Sequence, residues 1–325
     1  MTGSRRDEKR PSRPWRVEQK TSILLVSPFR QAHRRAPCAL KLMLSQIDRL
    51  GGVQMRVKAE KRGTGEDWAE KIACELAALL GLPHVPYDLA EERGTGTIGV
   101  VCETCAPSPA TLVLANELLV GHDPAYPAAG SKYKVKAHTA DAVFDVLTTL
   151  GPTLAKWCAA SPKGITSAVD VFTGYVLLDA WIANTDRHHE NWGALRMDAE
   201  LTLAPAFDHG AALARNLDDG DRAGRLNTKD KRRQVAAYAR KARSALYETA
   251  ASARPLSTVA AWAAISTRAP AAATVWLQQL SNVEEQAVDQ VVNNIPPHRM
   301  TGVSRRFTLA LLTENRRRLL AGDVS

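Results

Sequence analysis

Asp186 lies in the segment Asn184-Thr185-Asp186-Arg187-His188-His189-Glu190-Asn191, and a second acid follows in Ala206-Phe207-Asp208-His209-Gly210. A carboxylate that can take a hydroxyl proton, with an amide and a second carboxylate that can hold a hard cation, is the equipment of phosphoryl transfer. There the protein supplies positioning and charge more than covalent chemistry. Asp186 suits the proton acceptor, and Asn191 and Asp208 suit magnesium, which takes oxygen ligands. Asn, Thr and Asp also build plain helix-ending turns, so either Asp or Asn alone reads better as a backbone cap. The combination of Asp186, His188, Asn191 and the delayed Phe207-Asp208 carries the chemical reading.

Positioning these groups requires particular elements. Trp192 to Met197 and Leu201 to Leu203 flank Asp198-Ala199-Glu200 and predict a β-hairpin. Asn191 would enter that hairpin and Asp208 would follow its return strand. Antiparallel partners lie roughly 5 Å apart, so the two could share one cation. Upstream, Val169 to Ala183 carries Phe172, Val176, Leu177 and Ala180 at helical spacing, which places Asp186 just past a packed helix.

On these residues the chain resembles the HipA-like kinase family, whose best-known members are the toxin halves of bacterial toxin–antitoxin pairs. The resemblance runs over roughly residues 50 to 320. Arg56-Val57-Lys58 resembles the strand bearing the ATP-phosphate lysine. Trp68-Ala69-Glu70-Lys71-Ile72 through Leu80-Gly81-Leu82-Pro83 resembles the following helix, with Glu70 as the lysine's partner. Leu112 to Leu118 falls where the adenine-binding hinge would be, which makes Asn116, Glu117 and Leu118 nucleotide contacts. His188 falls where the first histidine supports the catalytic loop, and Asp208 at the metal-binding acid. The resemblance implies an α+β, two-lobed protein-kinase-like fold, with a small mixed N-lobe, a larger, mainly helical C-lobe and ATP in the cleft between. It also implies ATP and Mg2+ as cofactors, a protein substrate with a serine or threonine acceptor, and an antitoxin-like partner.

The N-terminal assignments have a physical reading of their own. A strand-borne lysine can present its ammonium to phosphate oxygens while an acid on the next helix fixes its rotamer. Glu70 to Leu80 predicts an amphipathic helix, with Ile72, Leu76, Leu79 and Leu80 on or near one stripe and Gly81 as its stop. Glu75 is an alternative partner for Lys58. No Gly-x-Gly-x-x-Gly precedes Lys58, leaving Gly51-Gly52 and Gly63-Thr64-Gly65 as candidates for the phosphate-covering loop. Only 57 residues precede Lys58, fewer than in the full-length toxins, so an accessory region that meets the antitoxin is expected to be missing.

Composition sets the outer bounds. The chain of 325 residues, 45% hydrophobic, is long enough for a two-lobed globular protein. Residues 1 to 21 read as a basic tail, 22 to 120 as the N-lobe, with Thr21 to Pro28 as a first strand, and 121 to 325 as the C-lobe carrying the catalytic loop. The net charge of +9 draws the protein to anions. It is concentrated in Arg5 to Lys20 and in Arg222 to Arg243, where Lys229, Lys231, Arg232, Arg233, Arg240, Lys241 and Arg243 cluster. The second cluster follows the metal acid as an activation segment would, and is read as a contact for an acidic partner or nucleic acid. Five scattered cysteines do not suggest a disulfide framework, and Cys102-Glu103-Thr104-Cys105 is half a zinc site without a second pair. No run approaches a transmembrane span, and the charged start lacks the apolar segment of a secretory signal; a cytoplasmic enzyme is expected. Beyond the basic cluster, Gln234 to Ala250, Leu256 to Ser266, Ala272 to Leu280, Glu284 to Asn293 and Ser304 to Leu320 read as helices.

Three functions compete at this stage. The first is a HipA-like protein serine/threonine kinase. The second is a phosphatidylinositol-type lipid kinase, because Asn-Thr-Asp-Arg followed by Asn-Trp is also similar to that superfamily's loop; against it, no amphipathic membrane element is evident. The third is a non-catalytic nucleotide-binding regulator.

Overall fold

Lys58 sits on the second strand of an antiparallel sheet whose order is β1-β2-β4-β3: Ile47–Leu50, Val53–Ala59, Ile98–Glu103 and Tyr87–Glu91. The computed structural model describes residues 47–50, 53–60, 63–91, 96–128 and 130–324, with side chains from Arg56 onward. The basic tail, the Thr21 to Pro28 strand and Gly51-Gly52 lie outside them. β2 pairs with β4 so that Lys58 faces Val100 across the ladder.

Between β2 and β3 runs α1, Glu66–Leu80. Its apolar positions Trp68, Ile72, Leu76 and Leu80 are buried, and it ends at Gly81, whose φ of 73° lets its N–H reach the Ala77 and Ala78 carbonyls. Any larger residue there would drive a Cβ to 2.2 Å from the Ala160 carbonyl oxygen.

The chain enters a second sheet before residue 120. β5, Thr111–Leu114, pairs antiparallel with β6, Gly193–Met197, which pairs with β7, Glu200–Leu203. The last two strands are the expected hairpin. α2 (Ala115–His122) and α3 (Ala140–Thr148) lead to α4, Ala168–Trp181, the hub of the helical lobe. Twelve of the fourteen residues of α4 are buried, the pattern of a helix enclosed on all sides. Ser167 and Asp170 form a reciprocal capping box at its start. Around it stand α5 (Asp219–Asn227), α6 (Val235–Ala239), α7 (Thr258–Ser266), α8 (Pro270–Asn282), α9 (Glu285–Asn293) and α10 (Gly302–Leu320). No helix among the described residues is long and apolar enough to cross a membrane.

The expected helix from Gln234 to Ala250 is cut short after Ala239. Its remaining backbone bonds elsewhere: Ser244 N–H to Leu256, Tyr247 N–H to His138, and the Ala242 carbonyl accepts from Thr258. Tertiary partners thus outweigh local helical spacing.

The lobes share one apolar core, because Trp68, Ile72 and Leu76 of α1 belong to the same cluster as Phe172, Trp181 and Trp276. Arg299, between α9 and α10, fastens them further. Its guanidinium pairs with Asp67 at 2.9 Å and donates to the carbonyls of Gly99 at 3.1 Å and Ala90 at 2.6 Å. The sheet is therefore tied to the helical lobe by a buried ion pair as well as by packing.

Candidate active site

The α1–β3 connection is stitched to the segment preceding Asp208. Val85 N–H donates to the Ala206 carbonyl and Ala206 N–H to that of Pro83, both at 2.9 Å. This brings β2, α1 and Asp208 to one place. Lys58 Nζ lies 2.7 Å from Asp208 Oδ1 and 4.0 Å from Glu70 Oε2. Glu70 is only 1% exposed; its Oε1 accepts the His209 backbone N–H at 2.7 Å, while Oε2 has no hydrogen bond among the described residues. Glu75, the alternative partner, pairs with Lys71 at 2.8 Å.

Charge balance in this cluster is uneven. Burial opposes ionisation of both Lys58 and Asp208, but their mutual attraction prevails, raising the lysine's pKa and lowering the aspartate's. Asp208 holds a left-handed φ of 57°, and Gly210 follows because a Cβ there would crowd Glu70 Oε2 at 3.2 Å. Asp186, 26% exposed, is pushed up to about 6 by burial and then by the negative charge of Asp208, with Lys132 and Lys58 opposing.

The loop holding Asp186 is rigid. Asn184 Oδ1 accepts the Asp186 N–H at 3.1 Å, and Asn191 Nδ2 donates to the Asp186 carbonyl at 2.6 Å, leaving Asn191 Oδ1 without a hydrogen bond among the described residues. His188 is buried, and its Nδ1 accepts the Glu190 N–H at 3.1 Å. Its Nε2 therefore carries the proton, 3.7 Å from Asp186 Oδ1. Burial, then the charge of Lys132, pushes His188 down to about 3, so it stays neutral and supports the loop.

Beneath the loop is a network that sequence reasoning missed. Arg187 is buried and grips Asp179 with Nε at 2.7 Å and Nη2 at 2.8 Å; Nη1 donates to the Asn191 carbonyl at 3.0 Å. Asp179 also accepts from Asn184 at 2.8 Å, and Arg187 Nη2 reaches His209 Nε2 at 3.1 Å. An acid inside the apolar run Leu177-Leu178-Asp179-Ala180-Trp181 was the available signal. Lys132 was missed too; its neighbour Tyr133 meets the His188 ring edge-on at 5.3 Å.

No hydrogen bond or ion pair among the described residues joins the expected hinge residues to the Lys58 cluster; their contact is with the catalytic loop. Asn116, Glu117 and Leu118 occupy the first turn of α2, and the Asn116 N–H donates to the His189 carbonyl at 2.8 Å. Glu117 is exposed and Leu118 packs on the main core, whereas Asn116 Oδ1 is buried without a partner among the described residues. Cys102 and Cys105 lie in an apolar cluster with Val100 and Phe207, where burial raises both thiol pKa values, that of Cys102 to about 12.

Solved structures share this fold. The Helicobacter pylori proinflammatory kinase CtkA superposes with a TM-score of 0.60 at 18% identity, covering 84% of this chain and 87% of that one. HipA of Shewanella oneidensis MR-1, in complex with HipB and operator DNA, superposes with a TM-score of 0.51 at 14% identity over 82% of this chain. The chain has a HipA-like kinase fold. It spans 57% of that HipA chain, and no family model or curated protein matches its sequence. Within the HipA-like fold, the two sheets and α1 bring Lys58, Glu70 and Asp208 together from residues far apart in sequence.

Proposed function

We propose that the chain is an ATP- and magnesium-dependent protein serine/threonine kinase. The observation that carries this reading is the unequal sharing of Lys58, which contacts Asp208 while buried Glu70 keeps, 4.0 Å away, a carboxylate oxygen with no hydrogen bond among the described residues. A buried acceptor without its hydrogen bond is costly, so the cluster is poised for Lys58 to swing toward Glu70 and release Asp208. The released ammonium can hold phosphate oxygens, and the released carboxylate a cation.

Asp208 and Oδ1 of Asn191 would hold Mg2+, which when bound neutralises charge on the transferred phosphoryl group. Asp186 takes the proton of the acceptor hydroxyl; its pKa near 6 leaves it ionised at neutral pH yet basic enough for the task. His188, neutral, directs its Nε2–H toward Asp186 and keeps the loop in register. The adenine side falls to Asn116, whose unsatisfied Oδ1 could accept an exocyclic amine, with Glu117 and Leu118 flanking it. A cytoplasmic location would suit the use of ATP. The HipB complex of the HipA neighbour motivates an antitoxin-like partner here, with the basic segment from Arg222 to Arg243 as its contact for acidic protein or nucleic acid.

Incubating the purified chain with labelled ATP, magnesium, lysate proteins and phosphatidylinositol vesicles tests the reading. Phosphoserine or phosphothreonine, mapped by mass spectrometry, is the expected product. Label confined to the lipid would overturn it and favour the lipid-kinase alternative.

A further inference from the structure

A cavity of about 280 Å3 opens beside the catalytic loop, and Thr185, the residue preceding Asp186, forms part of its wall. Arg215, Asn216, Tyr238, Lys241 and Arg243 line it as well, and no acidic side chain among the described residues does. Some neighbouring basic groups are engaged: Arg222 pairs with Asp219 at 3.0 Å, Arg232 with Asp230 at 3.3 Å, and Arg225 lies 5.1 Å from the Tyr238 ring centroid. Lys241 and Arg243 stand in the cavity wall itself. Both are exposed, and neither side chain has an ion pair or hydrogen bond among the described residues.

The third cation gives the cavity a fixed wall. Arg215 is 6% exposed and anchored to Glu66 at 2.7 Å and to the Thr64 hydroxyl, yet its Nε–H is buried without an acceptor among the described residues. A buried donor left over beside a cavity lined by basic and no acidic side chains among the described residues points to an anion.

The surrounding backbone is held in shape for it. Ala183 and Ala214, both in the wall, have φ of 52° and 53°, and Leu213 has 59°, conformations that non-glycine residues keep only when their surroundings impose them. Here the Leu213 N–H bonds the Ile182 carbonyl at 2.9 Å, and Arg222 donates to the carbonyls of Ala214 at 3.3 Å and Arg215 at 3.1 Å.

We propose that this cavity is an accessory site that reads a phosphoryl group already present on the acceptor protein, close to the hydroxyl offered to Asp186. It rests on the phosphotransferase reading above. Two cations without a partner among the described residues match the near-dianionic charge of a phosphorylated residue, and the Thr185 hydroxyl and Asn216 amide of the wall carry donors suited to its oxygens. Because Thr185 belongs to both the cavity and the catalytic loop, a phosphoryl group seated here fixes the acceptor's approach to Asp186. The site is then a specificity element, with Lys241 and Arg243 as positioning residues.

Calorimetric titration of the full chain with inorganic phosphate tests the site without requiring turnover. Lys241→Ala/Arg243→Ala should weaken phosphate binding at least about tenfold, since charge-assisted hydrogen bonds carry that much each. The component lost in that variant should persist in Lys58→Met, and Lys241→Arg/Arg243→Lys should largely restore it. No binding by the wild type, or unchanged binding in the double alanine variant with an unaltered melting temperature, overturns the site.

Transfer to a serine peptide carrying a nearby phosphoserine, glutamate or serine then identifies the source. The phosphoserine peptide should show the lowest KM, rising about tenfold in the double alanine variant while kcat and Mg-ATP affinity hold. Equal KM for all three peptides overturns the acceptor role in favour of a site for free phosphate, and preference for glutamate overturns the phosphoryl assignment in favour of a carboxylate. Phosphate binding without any phosphotransfer would fail the kinase reading and leave the anion site standing.

Discussion

Asp186 and Arg187 are consecutive residues that enter opposite kinds of environment. Arg187 closes a buried network in which three guanidinium nitrogens find partners and both Asp179 oxygens are taken. Asp186 faces a cluster left open: Lys58 sits at 2.7 Å from one acid and 4.0 Å from another, and Glu70 Oε2 has no hydrogen bond among the described residues. A closed network has nothing left to offer a ligand, and its worth lies in rigidity. An open one holds mismatched charge that a ligand can complete.

This contrast can be broken by mutation. Asp186→Asn should lower kcat by about 10² to 10⁴, the range for a general base, with the fold intact by circular dichroism. Arg187→Ala should do the reverse in kind: losing one partner of a buried pair costs about 3–5 kcal/mol, read by denaturant unfolding. If Arg187→Ala unfolds at the wild-type midpoint, the closed network is not structural.

Acidity sharpens the comparison further. Asp186 is raised to about 6, above its unfolded value, so its ionisation opposes folding as pH rises between the two. Asp186→Asn should therefore be more stable than wild type at pH 7, by about 1–2 kcal/mol after allowance for exposure. That gain should vanish as pH falls to the ordinary carboxylate range, while turnover should fall below about pH 6. Asp208, depressed by Lys58, has the opposite sign: its contribution is present above the unfolded pKa and is lost as pH falls through its lowered value. A stability gain for Asp186→Asn that persists at pH 3 would contradict the assignment.

Smaller effects are expected farther from the base. Lys58→Met and Glu70→Ala should each lower activity, and the double variant should lose less than their sum, with a coupling of about 0.5–3 kcal/mol for groups in one network. Strict additivity would separate them. Neutralising Lys231, Arg232 and Arg233 should raise the KM for the acceptor modestly and flatten its salt dependence, leaving ATP hydrolysis unchanged.

Local pattern and long-range contact divide what the sequence makes legible. The hairpin around Asp198 is visible because its apolar runs and turn are contiguous, and α1 is visible through Ile72, Leu76 and Gly81. Helical spacing from Gln234 onward misleads, because Ser244 and Tyr247 find distant backbone partners. The Arg187–Asp179 pair needs the end of α4 to turn back on itself, and Arg215 meets Glu66 across 149 positions; neither contact leaves a short-range mark beyond one acid in an apolar helix. The cavity beside Thr185 likewise exists only once α6 ends at Ala239 and releases Lys241 and Arg243.

Mg-ATP titration by calorimetry of Asp186→Asn and Asp208→Ala, side by side with turnover, bears most directly on the open cluster. Asp186→Asn should bind nearly as wild type and turn over poorly, because only the proton acceptor is gone. Asp208→Ala should lose magnesium-dependent affinity, because an anionic ligand is gone. Wild-type Mg-ATP binding in Asp208→Ala together with retained turnover would contradict its place as the metal-holding acid, and with it the kinase chemistry assigned to this cleft.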